Sequence, residues 1–218
     1  TDTILATAIA HRGAELADDV PALVLPPVWT GYSPHHMGFG GTVTLQFQHM
    51  FAMLHDIANT ALENGFDALL LLNGHGGNGP MISSVVNTVG TNHPDVDVLG
   101  LTYWLLAEAT FNEELRETEF GGASHGGEFE TSLMLHLRPE LVREDEFRTE
   151  YYDQPYDMAT RDLMVRGCLS YYRPWEFYSD SGVGGDPTAA TAKKGEQLYE
   201  ALGEGLRELL VEMHRRTR

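Results

Sequence analysis

Apolar residues follow two different rhythms along this chain. From Leu45 to Asn64 they fall at Phe47, Met50, Phe51, Leu54, Ile57, Ala58, Ala61 and Leu62. That is helical spacing, and Asn64-Gly65 supplies a helix stop. Ala68-Leu69-Leu70-Leu71-Leu72 is a continuous apolar run without alternation, the pattern of a central parallel strand covered on both faces. Thr3 to Leu16 predicts a helix, with Thr1, Asp2 or Thr3 as its N-cap. Ala22 to Pro27 predicts a short buried strand stopped by prolines. Val28 to Gly41 reads as a loop rich in Gly, His and aromatic residues. Pro80 to Val89 predicts a helix, Val96 to Trp104 a strand, and Leu105 to Thr118 and Phe129 to Leu137 further helices. Tyr151 to Asp186 is irregular, aromatic and glycine-rich, and Ala189 to Arg216 predicts an amphipathic C-terminal helix.

Helices and strands in alternation predict an α/β fold, layered α/β/α around a mainly parallel central sheet. Ligands of such sheets bind beyond the C-terminal ends of the strands. Asn73-Gly74-His75-Gly76-Gly77-Asn78 follows Leu72 at that place, and Tyr103 and Trp104 end the next strand on the same rim.

Composition narrows the function. With 218 residues, a single domain spanning 1–218 with a sizeable core is expected. The formal charge is −18, from 32 acidic against 14 basic residues. Such a surface repels nucleic acid and anionic membranes, so neither is expected as a partner. Lys193 and Lys194 are the only lysines, which suits a high-salt habitat and equally an arginine-preferring genome. Cys168 stands alone, so no internal disulfide forms and a reducing cytoplasm is expected. No apolar run approaches the roughly 18 residues that span a bilayer, and no signal-peptide pattern is visible. The chain opens on Thr1-Asp2-Thr3, without an initiator methionine, and passes directly into an apolar helix. Residues ahead of Thr1 are therefore expected.

Two glycine-rich segments carry the candidate chemistry. His75 sits between glycines after a buried strand, where the lack of Cβ lets backbone and ligand come close. A lone histidine is more often a surface or satisfied core residue, but this setting favours a metal ligand. The spacing is not G-x-G-x-x-G and no P-loop lysine follows, so a nucleotide site is disfavoured. The second segment is His125-Gly126-Gly127-Glu128-Phe129-Glu130-Thr131-Ser132. Glu128 and Glu130 in a first helical turn also suit the helix dipole. Being two apart they point in different directions, so only one is expected to face a site. His35 and His36 suit a metal, a pocket wall or a plain loop. Nothing around Cys168 resembles an activating environment, and Ser132 lies in no G-x-S-x-G elbow.

Taken in order, Thr1-Asp2-Thr3, Gly31-Tyr32-Ser33, Gly41-Thr42, Asn73-Gly74-His75, Tyr103-Trp104, His125-Gly126-Gly127 with Glu130-Thr131-Ser132, and Ala192-Lys193 through Gly195-Glu196 resemble the creatininase (creatinine amidohydrolase) family. The resemblance implies a binuclear metal amidohydrolase with two divalent ions (Zn, Mn or Fe), a small-molecule substrate and a homo-oligomer, typically a hexamer. It makes Asp2 the metal-bridging carboxylate, His75 a metal ligand and His125 the proton shuttle to the departing nitrogen. The family's E-x-H ligands lie upstream of that aspartate, so they and an N-terminal strand are expected ahead of Thr1. Where creatininase has Tyr-Glu-Asn after the ligand histidine, this chain has Gly76, Gly77 and Asn78. The lost carboxylate points to Glu128 as the replacement ligand and leaves Glu130 as a catalytic residue that orients a ligand. Trp104 matches a pocket tryptophan, while Gly121 and Gly122 stand where creatininase has Trp-Asp. Ser33, His36 and Gly76 complete the expected substrate-binding set, around a pocket too roomy for creatinine.

The expected reaction is hydrolysis of a C–N amide bond in a cyclic amide, formamide or small peptide by a metal-bridging hydroxide. Two alternatives stand beside it. One is C–C or ring-opening hydrolysis of a keto-sugar or inositol derivative, and the other is a metal-containing binding protein without turnover.

Overall fold

The structure is a computed structural model that describes residues 1–165 and 167–217. The chain divides into two compact units. A sheet unit comprises Asp2–Ser33, Val43–Tyr103 and the chain from Gly203, and a loop-rich unit comprises Thr1, Pro34–Thr42 and Trp104–Leu202.

In the sheet unit, β1 (Ala68–Asn73) and β2 (Asp97–Thr102) pair in parallel, from Ala68 opposite Asp97 to Asn73 opposite Thr102. Helix α2 (Phe47–Glu63) precedes β1, and α3 (Gly79–Asn92) makes the crossover to β2. The apolar stripe read from the sequence is the packed one: Met50, Leu54, Ala58 and Leu62 of α2 meet Met81, Val85 and Val89 of α3. Leu69, Leu71, Val96 and Val98 close this core from below. Strand alternation turns Leu70 and Leu72 to the opposite face, and α1 (Asp2–Leu16) also packs against β1. α1 buries Leu5 and Ile9 completely. This is the expected α/β layering, with a two-stranded parallel sheet among the described residues.

The loop-rich unit carries α5 (Glu128–Leu137) and the first half of α6 (Ala192–Arg216). Phe129, Leu133, Leu198 and Leu202 are fully buried. Asp162 is buried and accepts the Gly121 and Met164 amides at 2.7 and 3.1 Å and the Arg116 guanidinium.

Two expectations change. Ala22 to Pro27 forms no strand, and Leu23 and Leu25 are 64% and 46% exposed. Pro21, Pro26 and Pro27 offer no amide hydrogens to a ladder. Leu105 to Thr118 is not one helix. It breaks into a 3-10 turn (Tyr103–Ala107), a short α4 (Glu108–Thr110) and a π turn (Phe111–Leu115). The Arg116 amide reaches back to the Phe111 carbonyl at 2.8 Å. The widened turn lets Phe111 pack edge-on against Phe129, 5.3 Å between centroids, while Arg116 reaches Asp162.

Gly100 in β2 lets α3 lie directly on the strand. A Cβ there would lie 2.5 Å from Ile82 Cγ2 and 3.0 Å from Val86 Cγ2. Gly100→Val is therefore expected to cost about 1–3 kcal/mol by overpacking. Urea denaturation checks this: the midpoint falls, whereas an unchanged midpoint would mean that α3 does not sit on β2 as described.

Candidate active site

In the sheet unit the turn after β1 is built around Asn73, which is only 3% exposed. Its Oδ1 accepts the His75 amide at 3.1 Å. Its Nδ2 donates to the His75 carbonyl at 2.9 Å and to Thr102 Oγ1 at 3.2 Å. The side chain thus ties the turn to the end of β2. A Cβ on Gly74 would lie 2.9 Å from Ala6 Cβ and 3.0 Å from the Asp2 carbonyl oxygen, so glycine lets the turn approach the first turn of α1. The result is a pair of predicted residues brought together: His75 Nδ1 lies 3.0 Å from Asp2 Oδ2. Gly76 opens a 3-10 turn (Gly76–Asn78), and the space where its Cβ would stand is open. Asn78 is buried and accepts the Tyr32 amide at 3.0 Å. The Ser33 amide donates to Thr44 Oγ1 at 2.8 Å, which fixes that loop beside Thr44.

In the loop-rich unit the first turn of α5 separates the two glutamates. Glu128 is fully buried. One of its carboxylate oxygens accepts Lys194 Nζ at 2.6 Å and the Glu117 amide at 3.0 Å. The other accepts the Thr118 amide at 3.0 Å and the Thr118 hydroxyl at 2.7 Å. Lys194, itself 7% exposed, also donates to the Ala189 carbonyl at 2.8 Å and lies 3.0 Å from Glu117. Glu130, 7% exposed, turns the other way and accepts the Gly126 amide at 2.8 Å. Gly126 has φ +65°, a left-handed conformation that suits glycine and lets the loop fold back onto its own helix. Thr131 Oγ1 donates to the Gly126 carbonyl at 3.0 Å and Ser132 Oγ to the Glu128 carbonyl at 2.6 Å.

His125 precedes this turn and packs at a tilt against His36, with 4.5 Å between ring centroids, and against Trp175 at 4.9 Å. His35 packs at a tilt against His36 at 4.2 Å. Tyr152 shares a 2.8 Å hydrogen bond with Ser124, and burial holds its phenol above the ordinary value, so it stays protonated. Trp104 is buried in the same unit.

The sequence placed both histidine segments, and the structure adds what supports them. Asn73, Lys194 and Trp175 contact these segments, and pattern reading passed over them. Lys194 left a signal, since a chain with this net charge keeps two lysines and buries one of them. Glu128 has partners other than those expected of a metal ligand: four donors occupy its two oxygens.

The comparisons agree with this fold. A family model described as Creatininase: Creatinine amidohydrolase matches residues 1–210. The chain is 30% identical over 209 residues to the mycofactocin precursor peptide peptidase of Mycobacterium tuberculosis, covering 93% of this chain and 73% of that protein. It is 31% identical over 229 residues to the creatinine amidohydrolase of Pseudomonas putida, covering 97% and 81%. Solved structures of a mutant creatininase of Zn-Zn type and of a Mn creatininase each align at 27% identity with a TM-score of 0.78, covering 96% of this chain and 81% of theirs. The family match and the α/β layering together define a hydrolase class with metal-capable side chains at a strand end. The chain belongs to the creatininase family. Among the described residues, no helix is long and apolar enough to cross a membrane.

Removing the Lys194 ammonium leaves a carboxylate buried without its counter-charge, a loss of about 3–5 kcal/mol. Lys194→Met should therefore lower the unfolding midpoint strongly, and adding Glu128→Leu should restore most of it. A Lys194→Met protein as stable as wild type would contradict the buried pair.

Proposed function

We propose that this protein is a metal-dependent amidohydrolase that cleaves a C–N amide bond in a substrate larger than creatinine. The observation that carries the reading is the Asp2–His75 pair, 3.0 Å apart at the C-terminal end of β1, where α/β folds bind ligands. The donor set suits divalent ions such as zinc, manganese or iron, since it combines an imidazole with carboxylates. Asp2 and His75 would hold them, and the resemblance calls for one further carboxylate from the His125 segment, a role assigned to Glu128 from the sequence and for which we favour Glu130. The reason is chemical: Lys194, Thr118 and the Glu117 amide already engage the Glu128 carboxylate, whereas Glu130 lies in the turn that begins at His125. When bound, such ions would polarise the amide carbonyl and lower the pKa of water to give a nucleophile near neutral pH.

The chain's own residues do the rest. Asn73 fixes the backbone of His75 through both its carbonyl and its amide. His125 delivers a proton to the departing nitrogen, which lets the amine leave neutral. Trp104, Ser33 and His36 are assigned to substrate binding. The open space at Gly76 leaves room for a larger substrate. A small peptide is the class that the mycobacterial peptidase relatives support. The resemblance supports a homo-oligomer and action of residues 1–218 as one functional domain, and the acidic, single-cysteine chain suits the cytoplasm.

The test is amine release from a panel of cyclic amides, formamides and short peptides by metal-loaded, full-length protein. The expected result is amine from at least one class, with His75→Ala and His125→Gln each lowering kcat/KM about 100-fold or more. No amine from any class, or unchanged rates in both variants, would overturn the reading. A carbon–carbon cleavage product without amine would favour ring-opening hydrolysis.

A further inference from the structure

Trp175 lies in the irregular stretch between α5 and α6, fifty residues from His125 in sequence, and no motif points to it. Its surroundings are specific. Its indole Nε1 donates to the Gly182 carbonyl at 2.8 Å, so the ring is pinned at its edge. One neighbour of the ring is Gly184. A Cβ on that residue would lie 2.6 Å from Trp175 Cζ2 and 2.9 Å from Tyr152 Cε1, so the indole and the phenol rest directly on backbone. The same Gly184 donates its amide to the His125 carbonyl at 2.7 Å, in an isolated antiparallel bridge. Backbone and ring of His125 are thus held by one assembly. Trp175 lies 4.9 Å from the imidazole, His36 lies 4.5 Å from it, and Trp175 and His36 meet edge-on at 5.5 Å. Tyr152 and Tyr178 back the indole at 5.5 and 5.6 Å.

A histidine that transfers a proton must present one nitrogen in one direction. An imidazole on a loop has two free side-chain torsions, and each misoriented rotamer removes it from the reaction. His125 follows no regular element and precedes a glycine with positive φ, so its backbone alone does not fix the ring. We propose that Trp175 is a positioning residue for His125: with His36 it confines the imidazole, and Gly182 and Gly184 hold Trp175 where it can do so. The claim rests on His125 acting as the proton donor, and its test separates the two.

The experiment compares wild type with Trp175→Leu and Trp175→Phe in zinc-loaded protein with ring-labelled histidine. His125 is assigned from the spectrum of His125→Gln. In folded Trp175→Leu the His125 ring resonances should move as the indole ring current is lost, with zinc content unchanged. On an amide that wild type cleaves, kcat should fall roughly 10- to 100-fold with KM within about threefold. Trp175→Phe, which keeps an aromatic face, should recover most of kcat. If Trp175→Leu does not fold, Trp175→Phe and Gly184→Ala carry the same comparison. Gly184→Ala must displace the indole, so it should shift the His125 resonances and lower kcat. His125 resonances unchanged in the folded variants would overturn the proposal, and so would moved resonances with kcat unaffected. If wild type cleaves no amide, the proposed function fails by itself, and the resonances still decide whether Trp175 places the ring.

Discussion

The ion pair between Glu128 and Lys194 is the constraint on which the loop-rich unit depends. Two charges in a fully buried place cost several kcal/mol of lost hydration. That cost is offset only because every strong donor nearby points at the carboxylate: the ammonium, two amides and the Thr118 hydroxyl. The arrangement joins three separate stretches of chain, the turn at 117–118, the start of α5 and the start of α6. It also fixes the rotation of α5 about its own axis. With Glu128 directed to Lys194, Glu130 must emerge on another side of the same turn, toward Gly126 and the His125 loop. The buried pair therefore determines which way Glu130 faces.

The sheet unit solves the corresponding problem without buried charge. Asn73 presents a donor and an acceptor to the same peptide segment and anchors it to Thr102. Gly74 removes the side chain that would hold α1 away. Asp2 and His75, 73 residues apart in sequence, then meet at 3.0 Å. Their encounter follows from strand order and one missing Cβ rather than from any local motif.

This explains which parts the sequence disclosed. The periodic stripe of α2, the unbroken apolar run of β1 and the parallel pairing were readable because burial writes its period into the sequence. The two glycine-rich segments stood out because glycine beside an ionisable residue lets backbone and ligand come close. Ala22 to Pro27 misled because apolar composition signals burial, whereas pairing needs amide hydrogens that its prolines lack. The break after Tyr103 escaped notice because a π turn keeps the apolar content of a helix and changes only the hydrogen-bond step. Glu128 and Glu130 could be told to diverge from their spacing but not assigned, since the decisive partner, Lys194, is 66 residues away. Trp175 was invisible for the same reason: its value lies in Gly182, Gly184 and His125, none of them near it in any repeating pattern.

The division of labour in the first turn of α5 is the core of the account, and crystals of the full-length protein grown with manganese address it directly. Anomalous scattering should place an ion within bonding distance of the Glu130 carboxylate, with Glu128 still paired to Lys194. An ion on Glu128, with Lys194 displaced from it, would contradict the account.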